Sequence, residues 1–430
     1  MNHTSAPETI AIDALRIGMF VHLESGWMSH PFPTSNFRIA SADQIATLGG
    51  LGLQRVRWSP RRSVLVDGAT PPEQQAAALP TVAPRSHPAA TEATAADQRE
   101  RARDERRAQR VCERQFSEAA SACRKMTALV LEQPLAAGAS ARALTGALTD
   151  KMIGSHELCV RLLGEAAGDR AAVHAMNVAV LSLLLGRVCQ LDPAEMLDCG
   201  VGALLHDIGK LELPEGVRHA HENFTPAQQR AYEDHVAHGL VHAERMELGA
   251  GATLVIAQHH EHADGSGFPR QVGSEQLGAA ARIVALVDRY DNLCNPHIAA
   301  DAVTPHEALA RLFVKGRMTY DDAILGAFIR MLGIYPPGST VQLTDDRYGL
   351  VVAANSSRPL RPRVRVHDPR VAPDDALLID LEATPGLGIR RSLKPSALPG
   401  RAAQCLTPSA RVAYFFEPAL AERTEPACVG

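Results

Sequence analysis

The segment Leu204-Leu205-His206-Asp207-Ile208-Gly209-Lys210 ends an apolar helix with three polar groups that are costly to bury. Apolar residues recur at helical spacing through this part of the chain, at Leu197, Val201, Leu204, Leu205 and Ile208. This spacing turns one face of the helix toward a core. Burying an imidazole, a carboxylate and an ammonium together costs several kcal/mol unless they pair or bind a cation. The segment therefore indicates a metal site on a helical scaffold.

Matching metal-ligand side chains occur at four other places in the chain. Together with the first pair they give five imidazoles and two carboxylates: His174, His206, Asp207, His235, His259, His260 and Asp288. Taken singly, each has a plainer explanation as a hydrogen-bonded histidine or a surface carboxylate. Taken together, the mixture suits Fe, Mn, Ni or Zn and disfavours a Mg or Ca site built mostly from oxygen.

Charge and position point to an anionic phosphate as the ligand of this site. Two divalent ions and two carboxylates leave a net charge of about +2, which attracts a phosphodiester without a basic protein surface. Lys210 lies one turn beyond His206 on the same side, within reach of a bound phosphate. The neighbouring His219 to His221, His238, His242 and His262 are interpreted as solvated side chains outside the ligand set.

Composition limits the class of protein. The chain has 430 residues, 46% of them apolar and 21% charged, which is typical of a folded protein with two or three domains. Its net charge of −4 excludes a global basic field for a nucleic-acid polymer or an anionic membrane. The longest apolar run, 178–185, is too short to span a bilayer, and the N-terminus lacks a secretion signal. We therefore expect no membrane insertion and a cytoplasmic location.

Changes in composition along the chain predict five segments. They are a small α+β domain over 1–68, an Ala/Pro-rich linker over 69–96, a charged connecting helix over 97–116, a helical domain over 117–338 and a β-rich extension over 339–430. In the first segment, strands are predicted at 20–23 and 55–58 and a helix at 41–48. In the last, strands are predicted at 341–343, 349–353, 364–366 and 376–379. The expected fold class is mainly α, a helical bundle with a small α+β N-terminal domain and a short β-rich C-terminal appendage.

His206-Asp207, followed by His259-His260-Glu261 and Asp264-Gly265-Ser266-Gly267-Phe268-Pro269, resembles the HD-GYP subgroup of the HD phosphohydrolase superfamily. The resemblance covers residues 171–333. Such domains are all-helical, bind two or three metal ions that are often iron or manganese, and hydrolyse the bacterial second messenger cyclic di-GMP. The N-terminal segment, with Leu15-Arg16-Ile17-Gly18-Met19 and residues 27–32, resembles the small domain of unknown function that often precedes them.

The resemblance assigns roles to residues of this chain. It implies that the seven candidate ligands bind two divalent transition-metal ions, Fe or Mn first and Ni or Zn as alternatives, with Asp207 as the bridge. It makes Asp207 and Lys210 the catalytic residues. It implies substrate contacts for five residues, namely Lys210, Arg282, Gly267, Phe268 and Pro269. For Arg282, a structural salt bridge is an equally good explanation.

Three departures from the family pattern bear on the site. Arg170 stands where members with three metals have a glutamate, which favours a two-metal centre. Phe268 replaces the tyrosine of the family's Gly-Tyr-Pro motif. After Asp291, the chain reaches Pro296 without the arginine that usually precedes this proline. The last two departures affect the expected substrate contacts more than metal binding.

The functional hypothesis is hydrolysis of cyclic di-GMP to pGpG, GMP or both, by water activated at the metal ions while Lys210 neutralises phosphoryl charge. One alternative is an HD-type hydrolase of another cyclic dinucleotide, such as 3′,3′-cyclic GMP-AMP. A second alternative is a non-catalytic receptor for cyclic di-GMP. Homodimerisation, or binding of a signalling partner, is considered for the N-terminal domain or the charged helix.

Overall fold

The computed structural model of the protein describes residues 8–23, 36–39, 42–50, 53–60, 63, 95–153, 158–164, 169–220, 223–316, 318–355, 360–369, 376–384, 386–406 and 411–418. The chain divides into two compact units, residues 1–105 with 388–391 and residues 106–387 with 392–430. The motif residues 27–32 and the predicted linker, except for its last two positions, lie outside the described residues.

The first unit contains a small antiparallel sheet and a short helix. Its strands are β1 (Glu8–Ala11), β2 (Phe20–His22), β3 (Asn36–Arg38) and β4 (Arg55–Trp58), in the order β1-β4-β2-β3, and its helix is α1 (Ala42–Gly50). Their buried side chains form a separate core of Leu15, Met19, Val21, Leu23, Ile39, Leu48 and Val56. The strands predicted at 20–23 and 55–58 and the helix predicted at 41–48 are confirmed, and β1 and β3 are additional to the prediction.

The second unit is built mainly from helices. Helix α2 (Ala95–Leu129) begins in the first unit and continues into the second, so the charged helix extends beyond the predicted 97–116 at both ends. The helices that follow are α3 (Pro134–Ile153), α4 (Arg170–Val188), α5 (Pro193–Leu205), α6 (Pro226–Arg245), α7 (Ala250–Gln258), α8 (Ala279–Cys294), α9 (Pro305–Lys315), α10 (Asp322–Leu332) and α11 (Gly400–Leu406). Helices α4 to α8 carry the candidate ligands.

Helix α4 is the central helix of this unit. Its side chains are almost all buried from Ala172 to Gly186, and it packs against α5, α8 and α10. The helix is long and apolar enough to cross a membrane, but 78% of its most apolar window is buried within the protein. Apolar residues all around a helix that is covered by its neighbours are typical of a core helix.

Capping residues determine where three of these helices begin. Asp169 caps α4 by accepting a hydrogen bond from a backbone N–H of the first turn. Asp192 and Glu195 form a reciprocal capping box at the start of α5, and Thr225 and Gln228 form another at the start of α6. These contacts satisfy the free N–H groups of the first turn. They therefore help to fix which residues stand on each helix face and at each helix end.

The C-terminal strands form a sheet with a strand from the middle of the predicted helical domain. The strands predicted at 341–343, 349–353, 364–366 and 376–379 are confirmed as β6 (Thr340–Leu343), β7 (Tyr348–Asn355), β8 (Arg363–Val366) and β9 (Leu377–Asp380). The additional strands are β5 (Leu158–Leu162), β10 (Ile389–Leu393) and β11 (Tyr414–Pro418). Strand β5 lies between β7 and β11 and is antiparallel to both.

Strand β5 differs from the helical prediction for this region for a physical reason. Its five residues are all buried, and a short apolar run has no period that separates a strand from a helix segment. Strand β5 joins the sheet to the helices, and side chains of the sheet share the core of the helices. The hydroxyl groups of Tyr290 on α8 and Tyr414 on β11, for example, form a hydrogen bond of 2.9 Å.

Candidate metal centre

The seven predicted ligands converge in the folded chain. His174 lies in α4, His206 and Asp207 directly follow α5, and His235 lies in α6. His259 and His260 directly follow α7, and Asp288 lies in α8. Their ligand atoms form two neighbouring groups, in each of which the atoms lie within 4.8 Å of one another: His174, His206 and Asp207, and Asp207, His235, His259 and His260. Asp288 extends the first group, because its Oδ1 lies 3.2 Å from His174 Nε2 and 3.5 Å from His206 Nε2.

The carboxylate of Asp207 belongs to both groups. Its Oδ2 lies 3.5 Å from His206 Nε2 and 3.8 Å from His174 Nε2. Its Oδ1 lies 3.7 Å from His235 Nε2 and 3.8 Å from His259 Nε2. One oxygen therefore faces each group, which is the geometry that a carboxylate bridging two cations requires.

Hydrogen bonds orient four of the imidazole rings. The Nδ1 atoms of His206, His235 and His259 bond to the backbone carbonyl three residues earlier, at 2.7, 2.6 and 2.8 Å. His174 Nδ1 bonds to Asp291 Oδ2 at 2.6 Å. Because Nδ1 carries the donated proton in each case, Nε2 faces the cluster and can offer its lone pair to a cation. This arrangement is typical of histidines that bind metals.

A buried oxygen without a partner indicates that the cluster fits a cation. Asp207 Oδ1 is buried and has no hydrogen-bond partner among the residues that the structure describes. Ligand atoms about 2.1 Å from one ion lie about 3.0 to 3.4 Å apart. His174 Nε2 lies 3.2 Å from His206 Nε2, and His235 Nε2 lies 3.3 Å from His259 Nε2, so both distances fall in this range. The nitrogen-rich donor set matches a transition metal.

The electrostatic environment differs between the two groups. Burial lowers the pKa of His206, but Asp207 and Asp288 outweigh it and raise the pKa to about 10. The pKa of His174 is raised to about 9, because hydrogen bonds with Asp288 and Asp291 outweigh burial. In the second group, burial lowers the pKa of His235 to about 3. The first group therefore favours positive charge strongly, and His235 in the second offers a neutral nitrogen lone pair.

Lys210 lies directly against the bridging carboxylate. A 3-10 helix, Ile208–Glu212, turns its side chain back so that Nζ donates to Asp207 Oδ2 at 2.6 Å. Nζ also lies 5.3 Å from the centroid of the Tyr232 ring, whose hydroxyl is 3.5 Å from His260 Nε2. Burial opposes the charge, but the Asp207 carboxylate raises the pKa of Lys210. The ammonium therefore stays charged across the neutral range.

Gly209 lets this 3-10 helix approach α6, a role that sequence reasoning missed. A Cβ at Gly209 would lie 1.9 Å from the carbonyl oxygen of His235 and 2.4 Å from Gly239 N. Only a residue without a side chain fits at position 209. The close approach sets the distance between Asp207 and His235.

The loop that follows α7 packs on one of the candidate ligands. The ring of Phe268 stacks on His260, with centroids 4.5 Å apart at 30°. Gly267 allows this contact, because a Cβ there would lie 2.4 Å from the His260 carbonyl oxygen. Pro269 follows a cis peptide bond. Buried Glu261 holds the loop by accepting hydrogen bonds from two of its backbone N–H groups, at 2.6 and 3.1 Å.

Arg282 and His242 have other partners. The Arg282 guanidinium pairs with Asp321 at 2.7 Å and donates to the Leu277 carbonyl, so its described contacts tie α8 to the start of α10. A substrate contact for Arg282 stays a prediction. The interpretation of His242 as a solvated side chain is wrong, because it is only 2% exposed and lies 3.1 Å from Glu212.

Asp291 supports the site and was missed at the sequence level. It is fully buried, and besides His174 it accepts hydrogen bonds from the Asn177 and Asn295 side-chain amides, both at 2.8 Å. The spacing of Asp288 and Asp291, nearly one turn apart on an apolar helix, is the signal that could have identified it.

Comparisons with known proteins agree with this architecture. A family model described as an HD domain matches residues 149–324, and one described as a domain of unknown function (DUF3391) matches residues 8–139. The chain is 27% identical to the cyclic di-GMP phosphodiesterase PA4108 of Pseudomonas aeruginosa, over 83% of this chain and 84% of that protein. It is 22% identical to the cyclic di-GMP phosphodiesterase PdeB of Borreliella burgdorferi, over 45% of this chain and 51% of that protein. It is 26% identical to the 3'3'-cGAMP-specific phosphodiesterase 3 of Vibrio cholerae, over 40% of this chain and 37% of that protein.

This fold and site define the class of HD-domain proteins. A set of helices brings histidine and aspartate side chains, among them the adjacent pair His206 and Asp207, to one centre. Residues 149–324 match the HD domain model, and residues 8–139 match DUF3391. The similarity to PA4108 over 83% of the chain agrees with the resemblance to HD-GYP proteins, with Gly-Phe-Pro in place of the tyrosine form of the motif.

Replacing Gly209 with alanine is expected to displace the 3-10 helix from α6, because the new Cβ would overlap the His235 carbonyl. The shift separates Asp207 from His235, so metal content per chain should fall, and unfolding free energy should fall by about 1 to 3 kcal/mol. Elemental analysis and denaturant unfolding measure both effects. Gly216→Ala is the matched control, since nothing lies within 4 Å of its Cβ position. A fully metallated Gly209→Ala protein would contradict this account.

Asp291→Asn is expected to weaken metal binding about 10- to 100-fold, the usual cost of losing the partner of a metal-binding histidine. An amide cannot accept from His174, Asn177 and Asn295 together, because its NH₂ group meets at least one of these donors. Competition with a chelator of known affinity measures the change. Asp301→Asn, at an exposed position, should leave affinity unchanged. Equal affinity in both variants would exclude a supporting role for Asp291.

Proposed function

We propose that the protein is a metal-dependent phosphodiesterase that hydrolyses cyclic di-GMP to pGpG, GMP or both. The observation that carries the proposal is the Asp207 carboxylate, whose oxygens face two groups of imidazole nitrogens. Two of the relatives named above are cyclic di-GMP phosphodiesterases. Their names support the choice of substrate, since the match to PA4108 extends over most of both chains.

The proposed cofactor is a pair of divalent transition-metal ions, Fe or Mn first and Ni or Zn as alternatives. Asp207 Oδ2 would hold one ion with His174, His206 and Asp288, and Asp207 Oδ1 would hold the other with His235, His259 and His260. When bound, such ions polarise a phosphodiester and lower the pKa of a coordinated water to about 7. Arg170, a cation near the first group, supports two ions over three.

Lys210 is proposed to bind the scissile phosphate. One of its N–H donors is used by Asp207, so others are available to phosphoryl oxygens. Its contact with Asp207 holds the ammonium beside the place where a phosphate would meet both cation sites. A cation fixed there neutralises the negative charge that develops on phosphoryl oxygens during attack. Asp207 and Lys210 thus take the catalytic roles proposed from the sequence.

Gly267, Phe268 and Pro269 are proposed to form the substrate side of the site around His260. The stacking of Phe268 on His260 supports this placement, because the loop then borders the second group of ligands. The missing hydroxyl at Phe268 leaves 3′,3′-cyclic GMP-AMP as an alternative substrate, and one relative is named for that compound. The intact ligand set disfavours a receptor, because binding alone does not need two cation sites. A cytoplasmic location and a partner at the N-terminal domain stay predictions.

Protein loaded with Mn²⁺ or Fe²⁺ is expected to hydrolyse cyclic di-GMP, and a His206→Ala, Asp207→Ala variant should lose more than about 100-fold in kcat. Both cation sites lose a ligand in that variant. Elemental analysis measures the metal content of each protein. Chromatography of the products formed from cyclic di-GMP, 3′,3′-cyclic GMP-AMP and pGpG identifies the substrate. The matched control is Asp234→Ala, His238→Ala on α6. Equal turnover by both variants would contradict the proposal, as would tight nucleotide binding by protein without metal.

Lys210→Ala is expected to lower kcat about 10²- to 10³-fold, the usual effect of removing one group that stabilises charge in the transition state. Metal content should remain unchanged, because Lys210 is not a metal ligand. Steady-state kinetics with elemental analysis separates these effects. Lys125→Ala, on the exposed side of α2, serves as the control. If Lys210→Ala loses metal in proportion to activity, the lysine stabilises the centre and does not act on substrate.

A further inference from the structure

A cluster of one arginine and two histidines lies at the N-terminal end of α4. It consists of Arg170, His219 and His297, and none of them belongs to the proposed ligand set. Arg170 is the first residue of α4 and stands four residues before His174. Side chains at this spacing lie on the same helix face about 5 to 6 Å apart. Arg170 therefore emerges from the same face of α4 as the metal ligand His174.

The three side chains contact one another. Arg170 Nη1 lies 2.7 Å from His297 Nδ1, and Nη2 donates to the Asn295 carbonyl at 3.3 Å. The His297 ring stacks on His219, with centroids 4.1 Å apart at 15°. Neither described polar partner of Arg170 is a carboxylate. A guanidinium has more N–H donors than the two engaged here, so donors remain for an anion.

Electrostatic coupling links the cluster to the metal centre. The pKa of His219 is lowered to about 4, first by burial and then by the charges of His297, Arg170 and Lys210, while Asp207 opposes them. The cluster thus lies within the field of the residues proposed to act on the scissile phosphate. His219 is exposed, which agrees with its interpretation as a solvated side chain, and its ring also stacks on His297.

The position of Arg170 is fixed by the hydrogen-bond network that orients His174. The Asn295 side chain donates to Asp291 Oδ1 and to the Val412 carbonyl, both at 2.8 Å, and accepts from Val412 N at 2.8 Å. Asp291 also holds His174, so one buried carboxylate locates both the metal ligand and the backbone carbonyl that binds Arg170. Arg170 and the metal ligand His174 are thus tied to the same buried network.

We propose that Arg170, with His219 and His297, binds the second phosphate of a cyclic dinucleotide while the first lies at the metal centre. This inference rests on the proposed function. A cyclic dinucleotide carries two phosphodiester groups, each with a negative charge, and only one can be cleaved at a time. The planar donors of arginine match phosphate oxygens, and imidazole N–H groups can complete the contact. The chain's net charge of −4 makes such local attraction necessary.

The test compares a substrate with two phosphates and a substrate with one. Arg170→Ala is expected to raise KM for cyclic di-GMP about 10- to 100-fold, the loss of a charge-assisted hydrogen bond, with kcat changed far less. Kinetics on bis(p-nitrophenyl) phosphate, which has one phosphodiester, should remain unchanged, as should metal content. Arg170→Lys should recover part of the loss. Arg330→Ala, on the exposed face of α10, is the control.

Several results would overturn the inference. Equal loss on both substrates, or loss of metal in Arg170→Ala without recovery by Arg170→Lys, would indicate that the arginine only stabilises the fold. If wild-type protein binds cyclic di-GMP without hydrolysing it, the proposed function is refuted and the inference is not. The dissociation constants of cyclic di-GMP for the wild-type, Arg170→Ala and Arg170→Lys proteins would then decide the inference. Wild-type protein that neither binds nor hydrolyses the dinucleotide refutes both.

Discussion

The burial of one carboxylate among imidazoles is the constraint on which the helical unit depends. Asp207 lies between two groups of ring nitrogens, and its Oδ1 has no hydrogen-bond partner in the described part of the chain. A carboxylate in that position costs several kcal/mol unless a cation meets it. The helices that supply its neighbours must therefore pack closely. Gly202 allows α5 to approach Val255 of α7, and Gly209 allows the following turn to approach α6, at distances that leave no room for a Cβ.

Helix geometry supplies most of the orientation that the ligands need. His206 and His259 stand at the C-terminal ends of α5 and α7, where backbone carbonyls lack partners within the helix. Their Nδ1 atoms satisfy such carbonyls and leave Nε2 for the centre, and His235 uses the same local contact within α6. His174 has no equivalent local partner and depends on Asp291 from α8. The rings of His206, His235 and His259 are thus oriented by their own helices. The ring of His174 is oriented by α8, which is distant from it in sequence.

The departures from the family pattern are connected in space. The segment after Asp291 lacks the usual arginine before Pro296, and Arg170 stands in place of a glutamate. In the folded chain the Arg170 guanidinium contacts the backbone of Asn295 and the ring of His297. Helix α4 therefore brings a guanidinium to the segment that lacks one. Phe268 keeps the ring of the missing tyrosine and uses it to pack on His260.

Residue types and local period determined the helical region, four strands of the C-terminal sheet and the candidate ligands, because helical spacing and metal preference are properties of short segments. The sequence did not reveal β5, since five buried residues have no distinguishing period. It also did not reveal Asp291, nor the partner of Arg282, because their importance lies in contacts with residues far away in the chain. Only the packing of α4 to α8 decided that the other six candidate ligands meet around Asp207, because the distance between helix ends depends on side-chain volumes at many positions together.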